Sequence, residues 1–179
     1  MGGQSCSPFF LTPEIGTLLA VLNGKESPME FSRHGYCGLY CGACPVLLAS
    51  ENGELEALAQ SFKMSTDDLR CYGCKSDTVA VFCRECKMKN CAQQKQYEFC
   101  HQCADLPCQD LITFTNDERY PYHPLVLKNL AAIRQQGLDV WLQVQDQRWR
   151  CSACGAKFAW RDEVCRKCGQ PVASYQADL

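Results

Sequence analysis

Apolar residues recur along this chain at helical spacing in several short blocks, with cysteine-dense, apolar-poor stretches between them. Residues 11–24 place Ile15, Leu18, Leu19 and Leu22 on one stripe, with Thr12 as the cap, Pro13 in the first turn and Asn23-Gly24 as the stop, so the pattern predicts a helix. A linker follows over 24–33. Pro45 directly after Cys44 suits a first helical turn, and "VLLAS" continues the helix it opens. "ELEALAQSF" after Gly53 predicts another, and "STDDL" a short turn capped by Ser65 with Asp68 in the capping-box position. Residues 124–137 read as a helix with Leu127, Leu130, Ala131 and Ile133 on one side and Gly137 as its stop. "LDVWLQVQDQRW" predicts one more, with Val140, Trp141 and Val144 as its apolar positions. No alternating strand pattern of useful length appears before the last thirty residues.

The stretch 71–108 breaks this rhythm. It is too poor in apolar residues to build a core alone, and a bound metal is the usual substitute. Composition points the same way: sixteen of 179 residues are cysteine, a level typical of disulfide or metal scaffolds. The first residues, "MGGQSCSPFF", show no basic region and no apolar core of a leader, and no run reaches membrane-span length. The expectation is a cytoplasmic chain with reduced thiols and no membrane contact, whose paired cysteines hold metal. Cys6 stands apart from the pairs and reads as a bystander.

Spacing then assigns the ligands. "CSACGAKFAWRDEVCRKCG" carries Cys151-x2-Cys154 and Cys165-x2-Cys168, with Gly155 and Gly169 closing each turn. Such turns aim amides at the sulfurs, and glycine accepts the positive φ needed to leave them. Two turns offer four thiolates in a tetrahedron, which zinc takes at about 2.3 Å. The expectation is a β-hairpin zinc ribbon, with Phe158 and Trp160 on the hairpin; a rubredoxin-like iron is the competitor.

Upstream lie four further C-x2-C pairs: Cys41/Cys44, Cys71/Cys74, Cys83/Cys86 and Cys100/Cys103. They can combine in three ways. The sequential choice puts Cys41, Cys44, Cys71 and Cys74 on one ion. "CRECKMKNC" and "CHQCADLPC" share the spacing C-x2-C-x4-C, so Cys83, Cys86 and Cys91 repeat as Cys100, Cys103 and Cys108 with an offset of 17. Six sulfurs around two bridged zincs is one reading of that repeat. Its order resembles the binuclear six-cysteine module of fungal DNA-binding regulators, but its loops are shorter and Asp105 and Asp110 flank the second copy, so DNA binding does not transfer.

Cys37, Cys41 and Cys44 follow C-x3-C-x2-C, the spacing by which radical S-adenosylmethionine enzymes hold a cluster. That chemistry needs six strand–helix units after the motif, and the following residues hold short helices and more cysteines. An ordinary iron–sulfur cluster in the N-terminal region is the standing alternative to zinc, since Cys-Pro, as in Cys44-Pro45, recurs at such sites.

"YCGLYCGACPV", "CYGCKSD" and "CKMKNCAQQKQYEFCHQCADLPCQDL", in that order, resemble a widespread prokaryotic cysteine-rich family catalogued as a domain of unknown function. The resemblance covers about residues 34–112. It implies metal binding through Cys37, Cys41, Cys44, Cys71, Cys74, Cys86, Cys91, Cys100, Cys103 and Cys108, often with helices and a terminal zinc ribbon after them. Cys83 is not a regular part of that pattern, which weakens the two-copy reading. The resemblance implies no reaction and no substrate.

The remaining chemistry is sparse. His101 reads as a supporting neighbour of the cysteines, His34 as a surface or hydrogen-bonding residue, and His123, in "YPYHPL", as part of aromatic packing against the next helix. No phosphate loop, no H-E-x-x-H and no nucleophile elbow is present. The net charge of −2 argues against general nucleic-acid binding, although residues 145–179 hold 6 basic and 4 acidic side chains and leave an adaptor role for the ribbon as a weaker alternative.

The chain is therefore expected to be mainly α and metal-stapled, with irregular zinc knuckles and a C-terminal β-hairpin ribbon. Its expected divisions are 1–30 (helix and linker), 31–115 (cysteine domain), 116–148 (helical connector) and 149–179 (ribbon). The expected role is that of about three structural zinc ions shaping a surface for a protein partner; thiolate catalysis, which needs an open zinc position or an exposed low-pKa cysteine, stays open as a weaker alternative.

Overall fold

The computed structural model describes residues 30–179, so the helix expected over 11–24 and Cys6 lie outside the described residues. Eight α-helices occur among the described residues: α1 Pro45–Asn52, α2 Leu55–Phe62, α3 Thr66–Leu69, α4 Val81–Arg84, α5 Lys87–Gln94, α6 Gln109–Thr115, α7 Leu125–Gln136 and α8 Leu138–Arg148. Single 3₁₀ turns cover Cys41–Ala43, Cys100–Gln102 and Tyr175–Asp178.

Local signals account for most of these boundaries. Pro45 opens α1, and Gly53 ends it in the left-handed region. Ser65 Oγ accepts the Asp68 amide at 3.1 Å and donates to the Asp68 carboxylate at 2.7 Å, so the serine both caps α3 and holds the carboxylate at its positive end. Ser65→Ala is expected to cost about 1 kcal/mol of unfolding free energy, read from urea denaturation. Gly137 ends α7 and starts α8, leaving the two helices packed as a hairpin.

Two apolar clusters form the interior. The smaller one joins α1, α2 and α3 through Val46, Leu47, Leu55, Ala59 and Leu69, with Cys71 and Ala80 at its edge. The larger one gathers Tyr40, Phe99, Leu111, Leu130, Trp141, Trp149, Phe158 and Trp160, from all along the described chain. Two residues of the cysteine-dense stretch, Met88 and Phe99, and Leu111 just after it join that cluster, so the stretch borrows a core from α7, α8 and the C-terminus.

The buried side of α8 differs from the expected one. Trp141 is 1 % exposed, whereas Val140 and Val144 are 48 % and 49 % exposed. One large ring, donating Nε1–H to Asn129 Oδ1 at 3.4 Å and meeting Tyr40 edge-on, sets the orientation of the helix against two smaller side chains. On α7, Leu130 and Ile133 are buried as expected, but Leu127 is exposed and Val126 takes its place.

The β-hairpin expected at the C-terminus is absent: among the described residues, 149–179 contain isolated bridges, Arg150 with Lys157 and Val164 with Pro171, and no strand. Each bridge closes over its own cysteine turn, so the ladder stops after one pair. Phe158, Ala159 and Trp160, which would have formed the hairpin between the turns, are instead buried against the rest of the molecule. No helix among the described residues is long and apolar enough to cross a membrane.

Candidate metal centre

Two near-identical turns build the C-terminal group. In the first, the Gly155 amide donates to Cys151 O at 2.8 Å and the Cys151 amide to Ala156 O at 2.9 Å. In the second, the Gly169 amide donates to Cys165 O at 2.9 Å and the Cys165 amide to Gln170 O at 2.8 Å. Gly155 and Gly169 leave their turns at φ of 71° and 74°, the region where a Cβ is strained. The turns face each other, with Cys151 Sγ 3.6 Å from Cys168 Sγ and Cys154 Sγ 3.6 Å from Cys165 Sγ. All four sulfurs lie within 4.8 Å of one another. A tetrahedron with four bonds of about 2.3 Å has edges near 3.8 Å, so the four thiols can hold a metal ion with little movement. The Cys168 and Lys167 amides, directed at Cys165, draw its thiol down to about 7, which readies it as a thiolate ligand.

Cys151 and Cys165 are buried, while Cys168 is exposed, so the group sits at the surface with its inner side against protein. Trp160 fastens that inner side. Its amide donates to Ala43 O at 3.1 Å, its Nε1–H to Tyr40 O at 3.2 Å, and its ring stacks on Tyr122 at 4.2 Å. Arg148 closes the far end, donating to Asp178, Ala173 O and Ser174 O while its guanidinium lies over Trp149.

The N-terminal thiols form two neighbourhoods. In the first, Cys41 lies among Cys74, Cys44, Cys37 and Cys83; burial, and then those sulfurs, push its thiol well above the ordinary range. Cys83 is likewise raised by burial and then by Cys44, Cys71, Cys74 and Cys86. The sulfurs of Cys37 and Cys74 converge over Gly35, each within 3.7 Å of where a Cβ would stand. Cys44 precedes α1 and takes the Leu47 and Val46 amides, yet burial still raises its thiol to about 11. The Cys71–Cys74 turn reaches this place because Gly73, at φ 106°, lets Ser32 O approach to 1.9 Å from any Cβ position. The Ser32 amide then bonds Tyr72 O at 2.8 Å.

The second neighbourhood holds Cys91 on α5, Cys100 and Cys103 at the ends of a 3₁₀ turn, and Cys108 just before α6. Burial, and then Cys108, Cys91, Cys86 and Cys103, raise the Cys100 thiol to about 12. The Cys100 amide bonds Tyr36 O at 2.8 Å and ties this group to the first. Buried thiols that raise one another in this way stay protonated until a cation neutralises them, the opposite of an activated nucleophile.

The sequence repeat does not survive as a unit. Cys83, on α4, stands with the first neighbourhood, and Cys91, on α5, with the second. Cys83 is thus a resident of the first group, which its absence from the family pattern had obscured. All fifteen cysteines among the described residues are free thiols.

The three histidines pack against aromatic rings. His123 is buried, with Nδ1 3.0 Å from Phe114 O and its ring stacked 3.6 Å from Phe114; burial lowers its pKa to about 4, so it stays neutral. His34 and His101 flank the Phe99 ring at 5.5 and 5.6 Å.

A family model described as "Protein of unknown function (DUF3795)" matches residues 33–113. That span contains both N-terminal neighbourhoods and ends before α7 and the C-terminal turns. No curated protein and no solved structure matches the chain.

Proposed function

We propose that this protein is a non-enzymatic scaffold in which zinc at Cys151, Cys154, Cys165 and Cys168 fixes the C-terminal unit against the helical body and so shapes a surface for a protein partner. The observation that carries the reading is the convergence of four sulfurs from two facing turns, all within 4.8 Å. Zinc suits it best, since the donor set is wholly thiolate and closed, leaving no position for substrate or water.

The partner surface is a cleft of about 1040 Å³ between α1–α2 and the C-terminal turns. Leu48, Leu58 and Phe158 line it, with Glu54 on the helical wall and Lys167 on the opposite one. The occupant is a protein segment with an apolar anchor and charges of both signs. Because one wall belongs to the cysteine turns, metal occupancy sets the width of the cleft. The same charge mixture, with an overall −2, disfavours the nucleic-acid adaptor reading.

Elemental analysis combined with zinc-edge anomalous scattering tests the metal assignment. The expected result is zinc at the four sulfurs and a loss of about one zinc per chain in Cys168→Ser. Iron at that position, or an unchanged zinc content in the variant, would overturn it.

A further inference from the structure

The hollow enclosed by the second N-terminal neighbourhood differs from the C-terminal group in one decisive respect. It has a volume of about 40 Å³ and is lined by Cys91, Cys100, Cys103 and Cys108, with Met88 and Ala92 among its walls. In the C-terminal group sulfurs from facing turns already touch at 3.6 Å. Among the described residues that group alone has its donor atoms all within 4.8 Å, so the four sulfurs around the hollow are more widely set. A lone tetrahedral cation, bonded at about 2.3 Å to each sulfur, leaves no space between its ligands. Thiols spread around an enclosed, mostly apolar space suit a core that brings its own bridging atoms.

We infer that Cys91, Cys100, Cys103 and Cys108 ligate a [4Fe–4S] cluster, a second cofactor chemically different from the C-terminal metal. Four cysteine thiolates are the ligand set this cluster takes. Three separate elements present them: α5, the 3₁₀ turn with the residue after it, and the residue before α6. α5 and α6 pack on each other, which fixes Cys91 relative to Cys108. The ligated cluster is an anion, and one cation faces it: Lys95 Nζ stands 3.6 Å from Cys103 Sγ, while the Asp105 carboxylate, 3.9 Å from Lys95, lies 3.7 Å from the same sulfur. A cation directed at a cysteine sulfur stabilises the cluster and raises its potential.

The assignment is independent of zinc at the C-terminal turns, and the two fail separately. The full chain is prepared without oxygen and reconstituted with ferrous iron and sulfide. Iron, acid-labile sulfide and zinc are then counted in the wild type, Cys100→Ser, Cys108→Ser and Cys168→Ser. Cys100→Ser and Cys108→Ser are expected to lose about four iron and four sulfide per chain while keeping zinc, and Cys168→Ser to do the reverse. Iron content unchanged in both N-terminal variants overturns the proposal. Should those variants fail to fold, wild-type crystals decide the question. Anomalous signal at the iron edge inside the hollow supports the cluster, and signal there at the zinc edge alone overturns it.

Discussion

Cys165→Ser, or complete chelation of the C-terminal metal, is expected to open the two cysteine turns around Cys151–Ala156 and Cys165–Gln170, while Trp149, Phe158 and Trp160 stay packed in the core and α1 and α7 keep their protection. The reason lies in what the unit lacks. No strand ladder spans it among the described residues, and each isolated bridge is a single residue pair. The backbone bonds at Cys151, Gly155, Cys165 and Gly169 close each cysteine turn on itself, and the two turns meet through their sulfurs. Structural zinc binding to four thiolates contributes an apparent ~10 kcal/mol or more, well beyond what the two turns supply by their own backbone bonds. Cys165 is the severest place to intervene, because it is buried and its thiol is the one drawn toward the thiolate by two amides. Hydrogen exchange reads the outcome amide by amide. Cys151, Gly155, Cys165 and Gly169 should exchange freely after metal loss, while the interior amides of α1 and α7 exchange slowly. Unchanged protection of those four amides in the metal-free protein would remove the staple from the account of this fold.

That contrast also separates what was legible in the sequence from what was not. The caps and stops were local and therefore readable: Pro45 for α1, Ser65 with Asp68 for α3, Gly137 between α7 and α8. The C-terminal turns were readable for the same reason, since C-x2-C-G dictates its own backbone. Features set by distant residues were not. Val140 and Trp141 are adjacent and both apolar, and only the presence of Tyr40 and Asn129 decides which is buried. The hairpin expected between the turns gave way because Phe158 and Trp160 find better burial on Trp149, Tyr40 and Tyr122 than on each other. Grouping of the N-terminal thiols was the hardest feature, because C-x2-C pairs give no direction. Cys83 and Cys91 are eight residues apart and share a repeat, yet α4 and α5 deliver them to different neighbourhoods. The sequence also understated the aromatic core. The three tryptophans build a hydrophobic interior beside the cysteine groups, and Cys37 is itself part of it.

Trp160→Ala is expected to destabilise the whole described fold by about 3–5 kcal/mol, with the unfolding of body and C-terminal unit remaining a single transition. This residue is the joint between the two. Its ring fills the space between Tyr122 and the 3₁₀ turn that carries Cys41, and its two N–H groups satisfy the carbonyls of Tyr40 and Ala43 beside the first cysteine neighbourhood. Truncation opens a cavity, removes the stack and takes one of two donors from Tyr40 O, which keeps the Ala43 amide at 3.4 Å. Trp160→Phe separates them. It keeps most of the stack and the backbone bonds but not the indole N–H, so it should cost about 0.5–1.5 kcal/mol, the net range for one lost hydrogen bond. Urea unfolding followed in parallel by helical circular dichroism and by release of C-terminal zinc gives the decisive comparison. Coincident midpoints, both lowered in Trp160→Ala, mean that loss of the Trp160 anchor unfolds the helical body and releases the C-terminal metal in one step. If zinc release moves to lower urea while the helical transition stays where it was, Trp160 anchors only the C-terminal unit, and metal occupancy there cannot set the geometry of the cleft it shares with α1 and α2.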